Sequence, residues 1–261
     1  MKNVYSILLA VGVFSVLSNC SDLNATVTDD HIKTSAKESY VFRNYLSDDD
    51  IHIESKEGKV TLTGTVSEES HKSLAKETIM SLPKVRSVDD QLKVVGERPT
   101  ELSDAWITTK VKTNLMFHRQ VRARDTQVST NNGVVTLKGE AMSQAQKDLT
   151  SEYAKDVDGA KEIRNEMTVE KAHTKNKKAV YRSKDEKIDD ASITGQVKVA
   201  LFSHRSTSAV NTKVKTTNGV VTLHGIAKNK AEKQLVSKLS YDVYGVKNVK
   251  NQMTVGNPKR N

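Results

Sequence analysis

The chain has 261 residues, of which 36% are hydrophobic and 28% are charged. That hydrophobic content is enough for several small cores, and the presence of a single cysteine excludes a disulfide-stabilised scaffold. The formal net charge of +9 favours an anionic partner, a description that fits both lipid headgroups and nucleic acid.

The first residues predict export from the cytoplasm. A short positive start, Met1-Lys2-Asn3, precedes an apolar run over residues 7–17. This run is too short to span a membrane as a helix, but it suits a secretory signal. We therefore expect a signal peptide over residues 1–19 that is removed from the mature protein.

The signal ends in the segment Leu17-Ser18-Asn19-Cys20, which resembles a bacterial lipobox with Cys20 as the lipidated residue. Asn19 departs from the small residue usual at that position, and the alternative is an ordinary signal-peptidase site near Cys20. We expect a lipoprotein of the periplasm, anchored to the outer membrane through Cys20, with a polar tether over residues 20–28.

Nine residues around an Asn-Gly pair recur along the chain. Residues 131–139 read NNGVVTLKG, residues 217–225 read TNGVVTLHG, and a looser copy at residues 56–64 reads KEGKVTLTG. An Asn-Gly pair between alternating apolar runs is typical of a β-hairpin, because both residues tolerate the positive backbone angles of a tight turn. The chain is therefore predicted to contain three copies of one small module.

Each copy is predicted to contain the same helices and strands. Apolar residues four positions apart mark one helix before the hairpin and another after it, and a strand closes the copy. An aspartate at the start of each first helix suits an N-cap or first-turn position. The first helices carry Asp29, Ile32, Ala36 and Tyr40, then Asp104, Ile107, Val111 and Leu115, then Asp190, Ile193, Val197 and Leu201.

This order of elements predicts an α+β fold. Because a helix connects the second strand to the third, those strands should be parallel, in a three-stranded mixed sheet covered on one face by two helices. Each copy is expected to bury its own interior. The predicted repeats span residues 29–95, 102–170 and 188–256, with linkers at 96–101 and 171–187 and a tail at 257–261.

The segment that closes each repeat resembles a known family. Residues 243–251 read VYGVKNVKN and residues 157–165 read VDGAKEIRN, and together with the hairpin motif they resemble the BON domain. The first repeat diverges, with Lys84 in place of the glycine and Asp90 in place of the asparagine. Members of this family are bacterial envelope proteins, among them osmotically inducible periplasmic proteins and outer-membrane lipoproteins. The resemblance implies attachment to phospholipid or to a membrane interface.

The motif glycines are interpreted as structural. Those at the hairpin tips should supply the turn, and those at the end of the second strand should permit a bend or a close approach. A phosphate-binding loop is the alternative, but it would join a strand to a helix and carry a Lys-Ser or Lys-Thr pair. The set comprises Gly58, Gly64, Gly133, Gly139, Gly159, Gly219, Gly225 and Gly245.

No catalytic or metal site is predicted. The seven histidines occur singly, without the spacing of a metal site, and are expected to be solvated at the surface. The run Asp48-Asp49-Asp50 lacks the alternating oxygen ligands of a calcium loop and is interpreted as a solvated loop. We therefore expect a protein that is not an enzyme and that uses no cofactor.

Trp106, on the first helix of the second repeat, is the main candidate for lipid contact. It lies beside the apolar row of that helix, near Lys110, Lys112 and Phe117. Such a combination suits a bilayer interface, where an indole lies at headgroup depth and ammonium groups meet phosphate. The alternative is that Trp106 widens the buried stripe of the helix.

The leading functional hypothesis is a non-enzymatic envelope protein that binds anionic phospholipid or a membrane surface and contributes to envelope integrity or osmotic-stress protection. The alternative is a periplasmic scaffold that binds other envelope proteins without recognising lipid. The basic linker at 171–187 is interpreted as a solvated spacer or as a site attracted to an anionic leaflet. Nucleic acid is not expected as a partner, because the signal directs the chain out of the cytoplasm. The oligomeric state is left open.

Overall fold

The computed structural model describes residues 20–96, 99–121, 123–169, 187–204, 206–207 and 211–256. The predicted signal peptide, the predicted tail and residues 171–186 of the basic linker lie outside these ranges.

Three copies of one α+β unit follow one another, as the sequence predicted. The first contains α1 (Cys20–Glu38), α2 (Tyr40–Asn44), β1 (Asp50–Lys56), β2 (Lys59–Val66), α3 (Glu69–Met80), β3 (Ser87–Asp90) and β4 (Lys93–Val94). The second contains α4 (Asp104–Met116), a short 3-10 helix (Ala123–Asp125), β5 (Thr126–Asn131), β6 (Val134–Ala141), α5 (Gln144–Lys155), β7 (Glu162–Asn165) and β8 (Thr168–Val169). The third contains α6 (Asp190–Ser203), β9 (Thr212–Thr217), β10 (Val220–Ala227), α7 (Lys230–Tyr241), β11 (Asn248–Asn251) and β12 (Thr254–Val255).

Each repeat forms a mixed sheet with the second hairpin strand at its centre. The first strand pairs antiparallel with it and the closing strand pairs parallel with it, which confirms the predicted topology. Leu62, Leu137 and Leu223 occupy equivalent positions on the central strands and are each 0% exposed. Full burial of a leucine stabilises a fold by about 1.5–3 kcal/mol, so these positions anchor the three cores.

An asparagine breaks the closing strand into two pieces. Asn165 Nδ2 donates to Lys147 O at 2.8 Å and to Ser151 Oγ at 2.7 Å, and its Oδ1 accepts from Met167 N at 3.0 Å. Asn251 makes the equivalent bonds in the third repeat. The asparagine of the closing motif therefore ties the last strand to the helix that precedes it.

Helix α1 differs from the prediction at both ends. It begins at Cys20 and so includes residues 20–28, for which the sequence predicted a tether. At its other end Ser39 takes an extended conformation and its Oγ accepts from Phe42 N, which starts the short helix α2. The predicted row of Ile32, Ala36 and Tyr40 is therefore divided between two helices.

The three repeats share an interior, and this corrects the expectation that each buries its own. Ten of the fourteen residues of α6 are buried, because α6 packs against α3 of the first repeat and α4 of the second as well as against its own sheet. A helix that is buried all round occupies the centre of a larger core. The charge of Lys198, on α6, is neutralised by an ion pair with Glu77 of α3, whose carboxylate lies 2.7 Å from the ammonium group.

Side chains from the start of α6 also hold the first repeat in place. Asp189 Oδ2 accepts from Tyr40 N at 2.8 Å, and Ser192 Oγ accepts from Val41 N at 3.0 Å. These two bonds satisfy free N–H groups at the beginning of α2. The first and third repeats are thus joined by hydrogen bonds from backbone N–H groups to side chains, in addition to apolar packing.

Candidate functional site

One carboxylate in each repeat connects the first helix to the hairpin turn. Asp104 accepts from Asn132 N at 2.7 Å and from Gly133 N at 2.8 Å. Asp190 makes the same pair of bonds in the third repeat, and Asp29 makes them in the first. Asp104 and Asp190 are first-turn residues, as the sequence allowed, but the N-caps are Ser103 and Asp189. These aspartates therefore have a structural role, because they hold the hairpin turn against the first helix.

Asp29 makes one further bond, to Ser55 Oγ at 2.7 Å. This hydroxyl, together with the N–H groups of Gly58 and Glu57, holds the pKa of Asp29 below its ordinary value, although burial acts in the opposite direction. The carboxylate is therefore held in its charged form by the hairpin that it clamps.

The motif glycines all have positive φ angles. At Gly139 and Gly225 the angles are 127° and 135°, and a Cβ there would overlap the carbonyl oxygens of Asp125 and Asn211, the residues just before the facing strands. Only glycine permits that close approach. The full set with positive φ includes Gly58, Gly64, Gly133, Gly139, Gly159, Gly219, Gly225 and Gly245.

The predicted lipid-facing residues do not form one surface. Trp106 is half-buried and packs against the core, with Lys110 Nζ 5.4 Å from its ring centroid. Lys112 is exposed and lines a groove of about 590 Å³. Phe117 is 0% exposed, and its ring packs edge-on against Tyr45 of the first repeat at 5.5 Å. The lipid-contact prediction for Phe117 is therefore corrected, because this side chain belongs to the contact between repeats.

A basic surface lies on the open face of the third sheet, opposite its helices. Lys215 and Lys250 flank Thr222 on the two neighbouring strands, and Lys213 pairs with His224 in the next row. All four charged or titratable side chains are exposed. We call this surface, comprising Lys213, Lys215, His224 and Lys250, the cationic sheet face. Its signal in the sequence is the alternation of Lys213 and Lys215 with inward-facing residues along one strand.

The strands of the other two sheets carry a different charge pattern. Strands β9 to β12 contain no Asp or Glu, whereas the strands of the first repeat contain four acidic residues. In the second repeat Lys138 lies 3.4 Å from Glu166, and Arg164 Nε lies 2.9 Å from Glu162. A net positive open face is therefore a property of the third repeat.

Three histidines depart from the expectation that they are solvated. The side chains of His118 and His204 are 0% and 1% exposed and lie where the second repeat meets the third. His71 is 16% exposed and its Nδ1 lies 2.6 Å from Asp49, a carboxylate that is only 2% exposed. The solvated-loop interpretation is therefore wrong for Asp49, which also accepts from Ser67 N at 2.8 Å.

A signal for the buried histidines was present in the sequence. His118 and His204 are 86 residues apart, which is also the distance from Gly133 to Gly219. They occupy equivalent positions in the two repeats. A comparison of histidine positions at the repeat period would have found them.

Neither a metal centre nor a spanning helix is found in the described ranges. Among those residues, no group of three or more His, Cys, Asp and Glu side chains is arranged to hold a metal ion. No helix in the same part of the chain combines the length and the apolar character that crossing a bilayer requires.

Comparison with known proteins finds the same internal division. A family model described as the BON domain matches residues 28–96, 103–171 and 189–257. Osmotically-inducible protein Y of Escherichia coli (strain K12) is 31% identical over 168 residues, which cover 64% of this chain and 79% of that protein. A 21 kDa hemolysin of Actinobacillus pleuropneumoniae is 32% identical over 43% of this chain and 59% of its own length.

Solved structures give little additional information. The structure of CdsD, described as a structural protein of the type III secretion system of Chlamydia trachomatis, is 17% identical to this chain. It covers 90% of this chain and 93% of its own, with a TM-score of 0.23.

Proposed function

The chain belongs to the BON domain family, and from that premise we propose that it is a non-enzymatic protein of the bacterial envelope that attaches to anionic phospholipid surfaces. Its relation to osmotically-inducible protein Y supports a role in maintaining the envelope under osmotic stress. The proposed location is the periplasm, with a signal peptide at residues 1–19 and lipidation of Cys20 as the anchor to the outer membrane.

The cationic sheet face is the observation that carries the proposal. Lys213, Lys215 and Lys250 project from one exposed sheet whose strands hold no carboxylate. A basic residue near an anionic leaflet contributes about 1 kcal/mol of attraction, so the three lysines together supply a few kcal/mol. Attraction of that size gives reversible binding that salt weakens, because the screening length is about 8 Å at physiological ionic strength.

Trp106 and Lys110 form a second proposed contact with lipid. The indole is half-buried, so the exposed part of its ring is what a headgroup layer could reach. Lys110 lies over this ring at 5.4 Å, which places an ammonium group beside the indole at the same edge of α4. Lys112 is exposed on the same helix but lines a separate groove, so it is not part of this proposed contact.

Vesicle flotation tests the proposal. The chain with Cys20→Ser is expected to float with vesicles of phosphatidylglycerol and phosphatidylcholine, and to float less as salt is added. The double change Lys215→Gln and Lys250→Gln should weaken flotation. The matched control changes two cations of the second sheet, Lys138→Gln and Arg164→Gln, and should leave it near the unmodified level. Equal flotation of the two double variants would remove the cationic sheet face from the proposal.

A scaffold that binds other envelope proteins is the rival function. The balanced charge on the second sheet, where Lys138 and Arg164 each lie near a glutamate, favours it because such a surface has no preference for an anionic leaflet. Absence of flotation with anionic vesicles at low salt would favour the scaffold and reject lipid recognition.

A further inference from the structure

Two buried histidines face each other between the second and third repeats. The Nε2 atoms of His118 and His204 are 3.3 Å apart, and their ring centroids are 5.5 Å apart. The difference between these two distances is close to the sum of the centroid-to-Nε2 distances within the two rings. The nitrogens therefore point nearly head-on at each other, as in a hydrogen bond, and do not converge from the side on a common third atom.

Each histidine also reaches an aspartate of the other repeat. His118 Nδ1 lies 3.0 Å from Asp242 Oδ2, and His204 Nδ1 lies 2.5 Å from Asp156 Oδ2. Asp156 and Asp242 are 86 residues apart, as the two histidines are. The contact is therefore reciprocal, like an isologous interface between two subunits. We call the chain Asp242–His118–His204–Asp156 the histidine joint.

The other polar groups around the joint are fixed by their own contacts. Tyr153 Oη donates to Asp242 Oδ2 at 2.5 Å, and its ring stacks on His118 at 3.8 Å. Burial raises the pKa of Tyr153 and keeps it a neutral donor. Arg119 Nε lies 3.6 Å from Asp242 Oδ1, and Ser206 Oγ donates to Asp156 Oδ1 at 2.8 Å.

The number of protons in the joint follows from these partners. A carboxylate accepts hydrogen bonds only, so each Nδ1 that faces one must carry a proton. The two Nε2 atoms then hold a favourable contact only if one proton lies between them. With none, two lone pairs face each other, and with two, a pair of N–H groups would collide in a buried site.

We propose that His118 and His204 share a single proton, and that uptake of a second proton in acid opens the contact between the second and third repeats. Burial lowers the pKa of His118, with Asp242 acting in the opposite direction, and this disfavours a second proton in the closed contact. In the opened chain each imidazole binds its own proton below about pH 6.5. Below that pH the opened chain binds one proton more than the closed chain. The stability of the contact between the repeats therefore falls as the pH drops further.

Backbone bonds across the joint report whether it is closed. Arg119 N donates to Asp242 O at 2.9 Å, and Tyr244 N donates to Phe117 O at 3.3 Å. Lys161 N and Lys247 N donate to Gly133 O and Gly219 O within their own repeats, at 2.9 and 2.8 Å. The first two amides should lose protection when the joint opens, and the second two should keep it.

Hydrogen exchange of these amides, corrected for intrinsic exchange, tests the proposal. Protection at Arg119 and Tyr244 is expected to fall by about tenfold for each pH unit below about 6.5, because opening takes up one additional proton. The variant His118→Gln should lose this pH dependence. The control His224→Gln, at an exposed histidine, should retain it. Protection that does not change with pH in the unmodified chain would overturn the proposal.

Nitrogen-15 NMR of the unmodified chain gives a test that needs no variant. At about pH 7 both Nδ1 atoms should be protonated, with one proton between the Nε2 atoms. A bare Nδ1 on either ring would overturn the shared proton. Added zinc that raises the melting temperature of the unmodified chain but not of His118→Gln would also overturn it, by showing a metal site.

Discussion

Thr78 of α3 lies directly against Gly195 of α6, where the first repeat crosses the third. A Cβ on Gly195 would overlap Thr78 Oγ1 and lie 3.0 Å from Thr78 N. Two helix backbones approach this closely only when one of them lacks a side chain at the crossing. The shared interior of the three repeats therefore depends on a glycine outside the repeated motif.

Gly195→Val is expected to force α3 and α6 apart. Overpacking of a core costs about 1–3 kcal/mol, and urea unfolding should show a loss of that size. Thr109→Val is the matched control, because Thr109 occupies the equivalent, partly exposed position of α4. If both variants unfold at the same urea concentration, the crossing is not tightly packed.

Asp190→Ala should destabilise the third repeat. It removes the acceptor of Asn218 N and Gly219 N, which lie 2.7 and 2.8 Å from the carboxylate. Hydrogen bonds to a charged group contribute about 1.5–3 kcal/mol, so thermal unfolding should occur several degrees lower. Asp158→Ala, at an exposed aspartate, serves as control and should change the melting temperature little. A similar melting temperature for the two variants would show that the hydrogen bonds from the hairpin turn to Asp190 contribute nothing to stability.

Asp29 should make stability depend on pH on the acid side. Its folded-state pKa is lowered, first by the Ser55 hydroxyl, so the unfolded chain binds the proton more tightly. The contribution is fully present above the ordinary aspartate pKa of about 3.9 and is lost as the pH falls through the lowered folded value. Asp29→Asn should flatten the decline in melting temperature below about pH 5. A decline that is as steep in Asp29→Asn as in the unmodified chain would contradict the assignment.

Trp106 is the only tryptophan in the chain, so its fluorescence reports on one site. Anionic vesicles are expected to shift the emission to shorter wavelength, because the exposed part of the indole leaves water for the headgroup layer. Phosphatidylcholine vesicles should produce a smaller shift, since they lack the charge that attracts Lys110. An unchanged spectrum with anionic vesicles would show that α4 does not touch lipid.

Trp106→Ala has two expected effects that must be separated. Because the ring packs against the core, its removal should lower the melting temperature as well as vesicle binding. Trp106→Phe keeps much of the buried contact and loses the indole. Weaker flotation of Trp106→Phe at a nearly unchanged melting temperature would support lipid contact, whereas unaltered flotation would leave Trp106 with a packing role only.

The repeat and its sheet could be predicted from the sequence, because their signals are local. The Asn-Gly turns predicted the hairpins, and in the structure Val128 pairs with Leu137 and Val214 pairs with Leu223. A two-residue turn fixes the hairpin register, so those pairs follow from the turn position alone.

The packing between repeats could not be predicted in the same way. A four-residue row such as Ile193 and Val197 identifies one buried face of a helix, but it gives no partner for the other faces. The small and apolar residues that fill the remaining faces of α6 were the available signal. Phe117 was predicted to lie on a lipid-facing surface because the sequence gives no sign of its partner. Its contact with Tyr45 of another repeat arises only when the repeats pack together.

The burial of α6 by its neighbours has a consequence for chains that are truncated before the third repeat. A premature stop within the linker before Lys187 would leave two complete modules, yet it would strip the cover from α3 and α4. The exposed apolar strips would make that product a substrate for quality-control proteases. Loss of the third module would therefore destabilise the other two, so we expect the three modules to be retained together.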